Sequence, residues 1–104
     1  MKIVIADPLP ATATQLLRNQ GWTVDAQPGR PLSQLHATLV DADALIIRSA
    51  TQVDRSLLAK APILKVIARA GTGVDNVDLN AASAAGILVV NAPGANSVSV
   101  AEHA

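Results

Sequence analysis

A doubly wound α/β sheet of five parallel strands is the fold this chain predicts, and three observations predict it. Short apolar runs of β type alternate with helical patterns five times along 104 residues, the signature of strand–helix units whose strands align in parallel. The helical stretches end at Gly21, Pro62 and Gly86, residues that cap a helix in the left-handed region or cannot continue it. Half of the residues are hydrophobic and Trp22 is the only aromatic one, so the core is built from many small aliphatic contacts.

Taken in order, the first strand spans residues 2–6 and is closed by Asp7-Pro8. A helix over 9–20 follows, with Leu16 and Leu17 on its inner face and Gly21 just past its end. Residues 22–26 form a short second strand. Pro28-Gly29-Arg30-Pro31 is a turn, and 32–40 carries Leu32, Leu35, Leu39 and Val40 at helical spacing. The third strand covers 44–48. Asp54 is a good N-cap for a short helix through Ala61, stopped by Pro62. Residues 64–68 are the fourth strand, 77–85 a helix and 87–91 the fifth strand. Asn96 or Ser97 opens another helix, with Ser99 and Glu102 spaced as a capping box. That helix breaks off at Ala104 without a stop signal, as if the chain were cut in mid-helix.

Eight basic residues balance eight acidic ones. A neutral chain lacks the basic field that nucleic acid or an anionic membrane requires. The absence of cysteine removes disulfides, thiolate chemistry and cysteine metal sites. The first residues already read as a strand, and no apolar run approaches about 18 residues, so a soluble cytoplasmic domain is expected.

The stretch richest in chemistry is Arg69-Ala70-Gly71-Thr72-Gly73-Val74-Asp75-Asn76, at the carboxyl end of the fourth strand. Ligands of open α/β sheets bind outside the carboxyl ends of the strands. Glycines let the backbone approach closely, and N–H groups together with a guanidinium attract carboxylate or phosphate. The stretch is not a dinucleotide loop, because Asn76 stands where the third glycine of G-x-G-x-x-G belongs. Arg48 ends the third strand as Arg69 ends the fourth, and these strands are neighbours in a sheet ordered 2-1-3-4-5. A lone arginine there would be read as a surface ion pair, whereas two on adjacent strands, one leading into glycines, suit a dianion.

Asn91-Ala92-Pro93-Gly94-Ala95-Asn96-Ser97 leaves the fifth strand on the same rim. Asn96 and Ser97 either donate to an oxyanion, helped by the helix N-terminus, or simply cap that helix. Asp75 and Asp78 are read as turn support and helix cap. His36 and His103 are unclustered, so metal binding and nucleophilic triads have no support. A phosphoacceptor receiver fails, since Arg48-Ser49 and Asn91-Ala92 replace its aspartate and lysine. A flavin phosphate loop fails because Asp7-Pro8-Leu9-Pro10 contains no glycine.

Three segments, Ile47-Arg48-Ser49-Ala50-Thr51, Arg69 to Asp78 and Asn91 to Ser97, together resemble the D-isomer-specific 2-hydroxyacid dehydrogenases. The wording is most similar to the branch that oxidises 3-phosphoglycerate for serine biosynthesis, and the resemblance runs through essentially the whole chain. It implies a flavodoxin-like substrate-binding domain over 1–96, with 97–104 starting a truncated helix that leads to an absent nucleotide-binding domain. It further implies that Arg48 contacts substrate, that Arg69 and Asn96 hold a phosphate, and that the backbone of Thr72-Gly73-Val74 receives a carboxylate. The ligand so implied is 3-phosphoglycerate or a similar small anion, and the family's cofactor is NAD. The family's cofactor loop and catalytic residues are absent, so NAD is not expected to bind this chain alone and no residue here is expected to be catalytic. Two other readings stay open: a module that pairs with a second copy through an uncovered sheet face, and the substrate domain of a related reductase with an unphosphorylated substrate.

Overall fold

The structure, a computed structural model, describes residues 1–27, 29–70 and 76–92. Along the chain run β1 (Lys2–Ile5), α1 (Ala11–Asn19), β2 (Thr23–Ala26), α2 (Leu32–Leu39), β3 (Ala44–Ile47), α3 (Arg55–Leu58), β4 (Val66–Ala70), α4 (Leu79–Ala84) and β5 (Leu88–Ala92). The five strands form one sheet in the order β2-β1-β3-β4-β5, as expected, and every pairing is parallel.

Register explains the two cores. Val4, Leu45, Ile67 and Val89 lie level across four strands. They share one face with Leu35 and Leu39 of α2, Leu57 and Leu58 of α3, and Ala81 and Ala82 of α4. One residue earlier, Ile3, Ala44, Val66 and Leu88 lie level on the opposite face. That face packs against Leu17 of α1, with Trp22 at its border. The period of two in side-chain direction thus divides a near-continuous apolar run between two helix layers.

Several boundaries differ from the expectation, each for a local reason. Helix α1 begins at Ala11, because Leu9 precedes Pro10 and is held extended, and Pro10 itself stands at the N-cap. Its inner face is Ala13 and Leu17, whereas Leu16 is 46% exposed. In α2, Leu35 and Leu39 are buried, but Leu32 and Val40 at its two ends face solvent. Helix α3 ends at Leu58 because the chain tightens into three-residue turns, with Lys60 N–H on Leu57 O and Ala61 N–H on Leu58 O. Strand β4 starts two residues later than expected and includes Arg69 and Ala70, since its pairing with β3 sets Ala44 against Val66. Before α4, Val77 stays extended and pairs with Val53 in an isolated parallel bridge.

The polar punctuation acts as read. Asp54 and Asp78 cap α3 and α4, accepting from the backbone N–H of Leu57 and Ala81. Gly21 and Gly86 take φ of 83° and 72° just beyond their helices, a conformation that costs other residues about 1–2 kcal/mol. No helix among the described residues is long and apolar enough to cross a membrane. The last helix expected from Asn96 or Ser97 lies outside the described residues.

Candidate functional site

The carboxyl rim of the sheet is organised by two buried polar residues, Asp7 and Asn76. Asp7 follows β1 and is 3% exposed. Its Oδ2 accepts from the backbone N–H of Arg48 at 2.7 Å and of Thr51 at 3.1 Å, and its Oδ1 accepts from Thr51 Oγ1 at 2.6 Å. Three donors around one carboxylate satisfy the charge that burial would otherwise penalise. They also hold the loop after β3 against the end of β1.

Asn76 serves the other side of that loop. Its Nδ2 donates to the carbonyls of Arg48 and Thr51, each at 2.6 Å. Its Oδ1 accepts from Arg69 Nε at 2.7 Å. The backbone repeats the connection, with Val53 N–H on Asn76 O and Asp78 N–H on Val53 O, both at 2.8 Å. The loop bearing Arg48 is thus clamped by Asp7 from β1 and by Asn76 from the segment beyond β4.

Both arginines named from the sequence stand on this rim, in different settings. Arg69 is partly buried within β4, level with Ile47 of β3, and so belongs to the face that carries α2, α3 and α4. Arg48 follows the last residue of β3, is exposed, and reaches toward the segment after β1, its Nη1 at a long 3.4 Å from Pro8 O. The two guanidiniums therefore leave the sheet edge one residue out of register, while Asn76 ties the carbonyl of one to the side chain of the other. Thr72, Gly73, Val74 and Asn96 lie outside the described residues, as do Gly71, Asp75, Ser97 and His103.

A third anchor went unread in the sequence. Arg30, seen there only as part of a turn, has a side chain just 3% exposed and paired with Asp25 Oδ1 at 3.2 Å. Its Nε donates to Gln27 O, its Nη1 to Thr38 Oγ1, and its Nη2 to the carbonyls of Ile5 and Asp25. This guanidinium joins the ends of β1 and β2 to α2. The available signal was an arginine held between Gly29 and Pro31, five residues after an acidic residue in a strand. A cleft of about 490 Å³ opens beside it, lined by Asp7, Pro8, Arg30, Leu35 and Thr51 among others. Neither Arg48 nor Arg69 lines that cleft. Among the described residues, no group of three or more His, Cys, Asp or Glu side chains could hold a metal ion.

A family model described as D-isomer specific 2-hydroxyacid dehydrogenase, catalytic domain, matches residues 3–104. The chain belongs to this family. A D-3-phosphoglycerate dehydrogenase of Archaeoglobus fulgidus is 43% identical over 104 residues, which is all of this chain and 20% of that protein. Among solved structures, a cofactor (NAD+)-bound 3-phosphoglycerate dehydrogenase of Entamoeba histolytica superposes with a TM-score of 0.80 at 32% identity, over 99% of this chain and 36% of that one. An NAD-dependent formate dehydrogenase of Staphylococcus aureus, in complex with NAD, superposes with a TM-score of 0.75 at 35% identity, over 100% of this chain and 35% of that one. The chain thus spans a fifth of the length of the curated relative. In this family member, the described rim is a framework of buried hydrogen bonds that carries two arginines at the ends of adjacent strands.

Proposed function

We propose that the chain is the substrate-binding part of an NAD-dependent D-3-phosphoglycerate dehydrogenase, inactive by itself. In this reading residues 1–96 form the substrate domain and 97–104 lead toward a nucleotide-binding domain in the rest of a cytoplasmic enzyme. Arg48 contacts the substrate, Arg69 and Asn96 hold its phosphate, and the backbone of Thr72-Gly73-Val74 receives its carboxylate. The complete enzyme converts 3-phosphoglycerate to 3-phosphohydroxypyruvate, with hydride passing to NAD and the hydroxyl proton to an acid/base group elsewhere in the polypeptide. This chain supplies orientation and electrostatic complementarity, which act by holding the reacting carbon in line for transfer.

The observation that carries the reading is the pair of arginines at the carboxyl ends of adjacent strands, braced through Asn76. Guanidinium groups match the planar oxygens of carboxylate and phosphate. The likeness to phosphoglycerate dehydrogenases over the whole chain supports the substrate class.

An amide NMR titration of the chain with 3-phosphoglycerate, with glyoxylate and NAD as comparisons, tests the reading. The expected result is shifts confined to Arg48, Gly71 to Val74 and Asn96, with phosphoglycerate alone. A well-folded spectrum that none of the three ligands perturbs would sink the claim of a preformed half-site. The likeness to formate dehydrogenase favours a second reading, a related domain for a small unphosphorylated acid. Equal shifts with glyoxylate and phosphoglycerate would select it.

A further inference from the structure

We propose that Asn76 is a positioning residue that sets the guanidinium plane of Arg69 and, through the same amide, the loop that bears Arg48. The proposal rests on the substrate reading above and adds to it the group that aligns the two arginines.

Asn76 is 6% exposed, and its side chain has one acceptor oxygen and two donor hydrogens. The oxygen accepts from Arg69 Nε, and the nitrogen donates to two carbonyls, Arg48 O and Thr51 O. The orientation of the amide follows from these partners. A carbonyl can only accept and an Nε–H can only donate, so a flipped amide would set like against like on all three sides. The three bonds join two strand ends, because Arg69 lies in β4 while Arg48 and Thr51 follow β3.

An arginine side chain carries about 2 kcal/mol of rotamer entropy. Holding Nε before a ligand arrives reduces the freedom lost at binding. It also restricts the approach, since an Nε–H engaged by Asn76 is not offered to an oxyanion. Glycine at this position, as a dinucleotide loop would have, could perform none of these roles. Serine would be too short to join three partners. Aspartate would keep the acceptor for Arg69 but turn a carboxylate toward two carbonyls.

The test uses the arginine side-chain Nε–Hε NMR signals of the 104-residue chain, with 3-phosphoglycerate as probe. In the unliganded chain the Arg69 Hε should exchange slowly with water, and Asn76→Ala should speed that exchange by on the order of tenfold. Asn76→Ala should weaken phosphoglycerate binding by roughly tenfold, and Arg69→Ala by roughly ten- to a hundredfold. The double variant should bind no more weakly than Arg69→Ala alone, because the two residues act as one unit. A merely structural role for Asn76 would instead give additive losses, and that result overturns the proposal. So does an Arg69 Hε that exchanges as fast as an exposed arginine in the unsubstituted chain, a result that needs no variant to fold. Should Asn76→Ala not fold, Asn76→Asp keeps the acceptor and must keep the Hε protection. A protected Hε that phosphoglycerate leaves unshifted upholds the positioning and defeats the substrate reading, so the two failures are distinct.

Discussion

Thr51 Oγ1 donates to Asp7 Oδ1 at 2.6 Å, joining residues 44 apart in the chain. With the Thr51 and Arg48 N–H groups on Oδ2, this bond makes one buried carboxylate the organiser of the loop from which Arg48 extends. The arrangement resembles a helix cap in function: a carboxylate satisfies backbone donors that would otherwise point into the protein unpaired. Here the donors belong to a distant strand end, so the same chemistry fixes tertiary rather than local structure.

Asp7→Ala is expected to destabilise the chain by about 2–3 kcal/mol, because it leaves the Arg48 and Thr51 N–H groups and the Thr51 hydroxyl without their acceptor. Urea unfolding followed by circular dichroism measures the loss. A midpoint unchanged from the parent would show that the loop does not depend on the carboxylate.

Arg30→Met should cost about 2–4 kcal/mol, since it removes a hydrogen-bonded guanidinium and leaves the partly exposed Asp25 without its ion-pair partner. Arg30→Lys should recover only part of that loss, because an ammonium keeps the charge but cannot reproduce a planar fork spread over β1, β2 and α2. Thermal melts of the two variants side by side provide the check.

The acid limb of stability should depend on Asp41. A hydrogen bond from Lys2 Nζ at 2.6 Å holds its carboxyl below the ordinary value of 3.8, assisted by the Lys2 charge against slight desolvation. A carboxyl depressed in the folded state adds stability that is fully present above 3.8 and is lost as pH falls through its lower folded value. Asp41→Asn should therefore flatten stability against pH in that window and leave the slope above it unchanged. The pair is exposed, so added salt should shrink the effect.

Arg69→Ala separates a phosphorylated substrate from an unphosphorylated one. Loss of a charge-assisted partner should weaken 3-phosphoglycerate binding by on the order of 1.5–3 kcal/mol while leaving glyoxylate nearly unaffected. Isothermal titration with both ligands decides the matter, and equal losses would remove Arg69 from phosphate recognition.

The strand–helix alternation, the parallel order, the aspartate caps of α3 and α4 and the glycine stops after α1 and α4 were legible along the chain. The parallel order follows from that alternation by general sheet topology, and the rest depends on interactions within a few residues, where periodicity and capping chemistry apply directly. Arg48 and Arg69 could be placed at strand ends for the same reason. Which of Leu16 and Leu17 turned inward, and that Leu32 and Val40 would face solvent, depended on how each helix lies on its sheet face. The start of β4 depended on pairing with β3, which put Arg69 inside the strand and level with Ile47. The burial of Asp7, Arg30 and Asn76 was decided only by partners up to 44 residues away. A polar side chain by itself prefers water. It stays inside only where the assembled sheet brings enough donors and acceptors around it, and that count does not exist until the strands have met.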